Sequence, residues 1–376
     1  MAAQVDRTRL DALAAAVAEE RIHTVRVCFS DHYGVLRGRR LAAESFLADV
    51  SAPQAFCDGA LVWDIRCDIF EGTDFSNFRT GYPDLFARPD LETLRPCGWR
   101  EGEYAVLADA HDAHGAPIEV DPRRILRRVT ERLPVATEVA ARLELRVPDD
   151  GVAAAWAPGH APAFADDLLR GLQATGLPVL GLEWGRVERM LRLALGATSP
   201  LDAADALVMA RTAAREVAAA AGVGLTAMPR VATAQRIATM ALRVEPAPDA
   251  ASPAAAARLE DVRLLLRPLP TAYGPAASPL VLDDDGGLAA AASSDACPYL
   301  AIAALLAAGW EGSEGATQPP ASGYEQSVAR FGRCRWLDAW FDEGFTHDAL
   351  ALAEREAALR DGAITDWDLE RYWEAG

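Results

Sequence analysis

Residues 81–126 read GYPDLFARPDLETLRPCGWREGEYAVLADAHDAHGAPIEVDPRRIL, and the punctuation of this stretch decides what kind of fold to expect. Its first part, with Gly81-Tyr82-Pro83-Asp84 and Arg88-Pro89-Asp90, belongs to a loop-rich region running from about 71 to 99. A strand follows over 103–109 and turns at Asp112-Ala113-His114-Gly115. The chain then reaches Asp121-Pro122-Arg123, where Asp121 caps a helix whose first residue is proline. A short carboxylate accepts from the free amides of a first helical turn, and proline has no amide to leave unsatisfied there.

Upstream, TVRVC (24–28) and VLRGRRLA (35–42) read as strands around the turn Asp31-His32-Tyr33-Gly34, with a short helix over 42–49. The first 25 residues carry charges throughout and lack the apolar block of a signal peptide. Leu10, Leu13 and Val17 have the spacing of an amphipathic helix instead. Downstream, the pattern predicts a strand over 139–147, a helix over 163–175, a strand pair within 178–194 and a long alanine-rich helix over 199–222. Proline and alanine dominate 246–258, and 268–294 is turn-rich. Helices are expected over 298–308 and 346–360, with a last one capped by Thr365 or Asp366 and running through Trp373. There is no internal repeat. The expected organisation is a strand-rich N-terminal domain, residues 1–118, and a larger α+β domain, residues 119–376.

The 376 residues are 51% hydrophobic and 24% charged, an ordinary globular balance. No apolar run approaches the length of a membrane span, so a cytoplasmic protein is expected. The net charge of −18 repels a phosphate backbone and argues against nucleic acid. The chain has no lysine; arginine alone supplies its positive charge. Six cysteines without a CxxC pair read as free thiols rather than a zinc site or disulfide framework. His111 and His114 read as turn residues, Arg123 and Arg124 as surface or packing residues, and Trp336, Trp340, Trp367 and Trp373 as core or interface.

Five collinear segments carry a family resemblance. They are VRVCFSDHYGVLRGRRLAAESF (25–46), the 81–126 stretch, SPLDAADALVMARTAAREVAAAAGVGLTAMPR (199–230), SSDACPYLAIAALLAAGWEGSE (293–314) and the tail from Ala353. Together they resemble the glutamine synthetases and their γ-glutamyl-amine ligase relatives. The resemblance implies an N-terminal β-grasp domain and a catalytic-type α+β domain with a curved antiparallel sheet. It also implies assembly into rings, with each active site between one subunit's catalytic domain and the next subunit's N-terminal domain. Active members use ATP and Mg²⁺ or Mn²⁺ to phosphorylate the γ-carboxylate of glutamate, which an amine then attacks.

That chemistry gathers negative charge, so it needs carboxylates for the cations and arginines for the phosphoryl group. The family's E-x-E-F strand matches Arg142-Leu143-Glu144-Leu145, which reverses one charge and keeps Glu144. Glu144 reads either as a metal ligand or as a strand-face carboxylate paired with a nearby arginine. The E-x-x-x-G-Q-x-E segment matches 183–190, which keeps Glu183, offers Glu188 in place of the glutamine and puts Met190 at the second carboxylate. No histidine occurs between His160 and His347 to supply the family's H-x-H motif, and Pro268 to Ala329 contains no arginine or lysine. Glu144, Glu183 and Glu188 are therefore candidate remnants of a metal site. Asp64, with Asp58 as its rival, falls where the family presents an aspartate to a neighbouring subunit's incoming amine.

The expectation is a catalytically degenerate family member, needing no cofactor and acting as a subunit of a homo-oligomer or of a hetero-oligomer with an active ligase paralogue. One alternative is a divergent ATP-dependent C–N ligase using Mg²⁺ or Mn²⁺. Another is an amine or amino-acid binding protein.

Overall fold

The computed structural model describes residues 2–147, 163–185, 189–230, 236–246, 253–273, 288–311 and 321–363. In chain order its first part contains α1 (Ala2–Ala18), β1 (Thr24–Ser30), β2 (Leu36–Ala42), α2 (Ala43–Ala48), β3 (Gln54–Cys57), β4 (Asp84–Pro89), β5 (Arg95–Pro96) and β6 (Glu103–His111). Then come α3 (Pro122–Glu131), β7 (Glu138–Arg146), α4 (Ala163–Ala174), β8 (Val179–Gly185), β9 (Met190–Thr198), α5 (Pro200–Ala220) and β10 (Thr239–Glu245). The last part holds α6 (Pro253–Asp261), α7 (Arg263–Leu266), β11 (Leu288–Ser293), α8 (Pro298–Trp310), α9 (Tyr324–Phe331), α10 (Trp336–Trp340) and α11 (Glu343–Asp361).

The strands form two sheets in a mixed α+β fold. The first has the order β2-β1-β6-β4-β3, with β5 beside β6. In it β1 pairs antiparallel with β2 and parallel with β6, placing Cys28 opposite both Gly38 and Leu107. The second sheet, β11-β10-β7-β9-β8, is antiparallel throughout. One face of it is apolar: Val139, Leu143, Leu145, Leu191, Leu193, Met240, Leu242 and Val244 are all buried. The long helix α5 packs on that face against β7 and β9.

Local chemistry explains the element starts. Asp121 accepts from the Arg123 amide and Pro122 opens α3, as its sequence predicts. Ser199 and Asp342 cap α5 and α11 in the same way. α8 is buried from Pro298 to Gly309, so a helix apolar all round lies inside the protein. The spacing in α1 is used: Leu13 is fully buried, and Leu10 and Val17 pack beside it.

The two sheets are joined by buried arginines. Arg123 donates to Asp205 of α5, at 3.1 and 3.0 Å, and also to Asp90 and Asp109. Tyr299 of α8 donates to the same Asp205 carboxylate at 2.7 Å. Arg26 of β1 bonds Glu216 of α5 at 2.6 and 3.0 Å. Arg211, also on α5, donates to the carbonyls of Tyr33, Gly34, Ser294 and Ala296. The turn fits against this guanidinium because Gly34 has φ of +70° and no side chain; a Cβ there would stand 2.4 Å from the Arg211 guanidinium and 2.8 Å from Pro298.

Several expectations need correction. The loop-rich stretch 71–99 also holds two short strands, β4 and β5. The strand β10 was not expected, and the turn-rich 268–294 ends in β11. The proline- and alanine-rich stretch 246–258 runs into α6. Arg123, expected at the surface or in packing, is a buried hub with 2% exposure. The final helix, with Trp367 and Trp373, lies outside the described residues. Among the described residues no helix is long and apolar enough to cross a membrane. The six cysteines are free thiols; Cys97, Cys297 and Cys334 are buried.

Candidate functional site

The second sheet's other face is polar, because alternation along each strand sends Arg142, Glu144 and Arg146 of β7 away from the helices. Register brings three neighbouring strands into one row. Glu144 of β7 stands opposite Arg192 of β9, and Arg192 stands opposite Glu183 of β8. The guanidinium bridges both: Arg192 Nε donates to Glu144 at 3.2 Å and Nη1 to Glu183 at 3.0 Å.

Glu144 has further donors. Arg236, on the segment entering β10, reaches it at 2.7 and 3.1 Å. The Thr239 amide and hydroxyl reach it at 2.9 and 3.0 Å. The carboxylate is only 5% exposed. Burial by itself opposes the charge, but the hydrogen bonds from Arg236 and Thr239 outweigh it and hold Glu144 below the usual glutamate range. Glu183, at the edge strand, is largely exposed. Glu188 lies outside the described residues.

These residues do not fit the divalent cations that the resemblance implies. A metal-binding carboxylate needs lone pairs directed at a vacant centre. Here both oxygens of Glu144 are occupied by donors, and a guanidinium stands between the two carboxylates. Met190, buried beside Arg236 with its sulfur 3.9 Å from Nη2, offers a thioether where a carboxylate was sought. Among the described residues no three His, Cys, Asp or Glu side chains converge as ligands.

Asp64 sits apart from this face. One oxygen accepts from the amides of Arg66 and Asp68, and the other from Arg355 of α11 at 3.1 and 3.0 Å. Arg355 in turn lies over the ring of Phe70, 4.9 Å from its centroid. Asp64 is therefore buried and ion-paired within its own chain. Its rival Asp58 is also buried and accepts from Ser76; burial raises its pKa.

A second feature is a cleft of about 900 Å³ between the turn that carries Tyr33, Arg211 and Arg215 of α5, the 225–230 segment and α11. Arg230 closes one wall, donating to the carbonyls of Thr271, at 3.0 Å, and Tyr273. Sequence reading did not single out Arg192, Arg236 or this cleft. The signal for Arg192 was its place in the alternation MLRLALG; Arg236 left no periodic signal.

No family model matches the chain. Curated relatives do, over parts of their length. A glutamate–isopropylamine ligase from Pseudomonas is 32% identical over 31% of this chain and 26% of its own length. The γ-glutamylethanolamide synthetase GlnA4 of Streptomyces coelicolor is 35% identical over 49% of this chain and 39% of its own. A type-1 glutamine synthetase of Dictyostelium discoideum is 32% identical over 29% and 21%. Each match thus spans less than half of the relative it aligns with. Among solved structures, a GmaS–ADP complex matches with a TM-score of 0.76 and 16% identity, over 96% of this chain and 99% of that one. A glutamine synthase homologue matches with a TM-score of 0.76 and 19% identity, over 94% and 98%. The chain thus shares its fold with these structures and part of its sequence with ligases of the glutamine synthetase family.

Proposed function

We propose that this chain is a non-catalytic member of the glutamine synthetase family, one that keeps the scaffold and has replaced divalent cations on the sheet face with arginines. The observation that carries this reading is the Arg192 guanidinium bridging Glu144 and Glu183. A fixed positive group at that place can neutralise the carboxylates, but it has no open coordination position for a nucleotide phosphate. Phosphoryl transfer relies on such charge-stabilising contacts, and their loss costs orders of magnitude in rate. The division into residues 1–118 and 119–376 belongs to the same reading: the first part serves assembly and the second provides the altered sheet face. The protein acts as a subunit, with copies of itself or with an active ligase paralogue.

The test is direct. The purified chain is incubated with ATP, Mg²⁺ or Mn²⁺, glutamate and in turn ammonia, isopropylamine and ethanolamine. The expected result is no ADP release above background; steady turnover with any amine overturns the reading. A second reading has support from the relatives, which are named as a glutamate–isopropylamine ligase and a γ-glutamylethanolamide synthetase. It is a divergent ATP-dependent C–N ligase in which Glu144, Glu183 and Glu188 hold a reduced metal site and Asp64 assists a neighbour's amine. It predicts a nucleotide-dependent rise in Tm that requires Mg²⁺, and the non-catalytic reading predicts none.

A further inference from the structure

The cleft of about 900 Å³ is separate from the sheet face: none of its lining residues belongs to the Glu144–Arg192–Glu183 row. Its walls carry five guanidiniums, those of Arg37, Arg211, Arg215, Arg230 and Arg360, against the carboxylates of Asp295 and Glu356. In a chain of net charge −18 this is a local reversal of sign. Arg37 is spoken for, since Asp31 pairs with it at 2.7 Å. Arg211 and Arg230 are held by backbone carbonyls, which orient a guanidinium without cancelling its charge. Arg215 and Arg360 are exposed, and no carboxylate among the described residues bonds them.

The two acids at the walls are weakened rather than strengthened as counter-charges. Burial raises the pKa of Glu356, and Asp64 nearby raises it further. Asp295 is 7% exposed, and its Oδ2 is buried without a hydrogen-bond partner among the described residues. A buried acceptor left unpaired is costly, so it marks a place where a bound group can complete the bonding.

We propose that this cleft binds a small polyanion, a molecule with at least two phosphate or carboxylate groups together with a hydroxyl or N–H that donates to Asp295. Guanidinium forks bind such groups in pairs of parallel hydrogen bonds, and several of them inside one concave site favour multiple negative charge over a single carboxylate. An extended polyanion is disfavoured because the remaining surface is acidic. This assignment goes beyond the proposed function and does not rest on it, since the cleft shares no residue with the sheet face.

The test is calorimetric titration of the whole chain at low salt with two probes, inorganic pyrophosphate and citrate. At least one binds, and the tighter of the two assigns phosphate or carboxylate as the natural group. Arg215→Gln and Arg360→Gln, exposed side chains that pair with no carboxylate among the described residues, each weaken that binding about tenfold. Arg142→Gln, on the sheet face, leaves it unchanged. Absence of heat with both probes overturns the assignment. So does undiminished affinity in the Arg215 and Arg360 variants, or a loss confined to the Arg142 variant, which would put the anion on the sheet.

Discussion

Glu144 and Arg192 face each other across adjacent antiparallel strands, and the same guanidinium continues to Glu183 on the next strand. A cation built into the chain thus occupies the row where the family resemblance implies a bound one. A fixed cation and a bound one place different demands on the carboxylates, and the difference can be measured.

Arg192→Met combined with Arg236→Met removes both guanidiniums from Glu144. Stripping one partner from a buried ion pair costs about 3 kcal/mol, because the remaining charge is left in a poor solvent. The double variant is expected to melt earlier than the parent and to regain part of the loss as Mn²⁺ is added, with no such response in the parent. Thermal melts with and without Mn²⁺ read this out. If the variant is indifferent to the metal, the arginines are not standing in for a cation.

The Arg123–Asp205 pair tests the interior link between the sheets. Both side chains are almost fully buried, at 3% and 4% side-chain exposure. Asp205→Ala leaves Arg123 and the Tyr299 hydroxyl without their shared acceptor. The expected loss is about 3–5 kcal/mol in urea unfolding. A loss below about 1 kcal/mol would mean that Asp90 and Asp109 hold Arg123 unaided.

His32 supplies a pH dependence. Its ring is buried, with Nε2 2.9 Å from the Val120 carbonyl and Phe345 packed edge-on. Burial pushes its pKa down to about 4, so the fold accepts the neutral ring. An unfolded histidine binds its proton near pH 6.5, and between these two values the unfolded chain holds more protons than the folded one. Stability from this group is therefore complete above about pH 6.5 and falls away toward pH 4, by about 3 kcal/mol in all. Unfolding free energies across that window should slope less in His32→Gln; equal slopes would exclude the ring as the source.

Gly34→Ala probes the turn. Its positive φ disfavours any side chain, and the added carbon meets Arg211 and the ring of Pro298. The expected cost is about 2–4 kcal/mol, as strain and overpacking combine. A melting temperature equal to the parent's would show that the turn can withdraw from α8 without penalty.

The sequence carried most of the element plan, since caps and alternation are local. Asp121-Pro122 and the buried run of α8 were legible because a few neighbouring residues define them. β11 was hidden because LAAAAS places alanine on both faces and so has no alternation to read. β4 was masked by flanking prolines. The site was harder. That Glu144 pairs with an arginine was one of its two readings, but which arginine depends on strand register, and Arg192 and Arg236 lie 48 and 92 residues away. Arg355, the partner of Asp64, is 291 residues away. Local periodicity carries no information at that distance.

Arg211 holds carbonyls from two distant parts of the chain, two in the turn between β1 and β2 and two just ahead of α8. Separating the halves would bare four acceptors and a desolvated charge at one stroke. Neither half can therefore melt at leisure while the other stays intact, and heating should give a single cooperative transition in which both sheets are lost together.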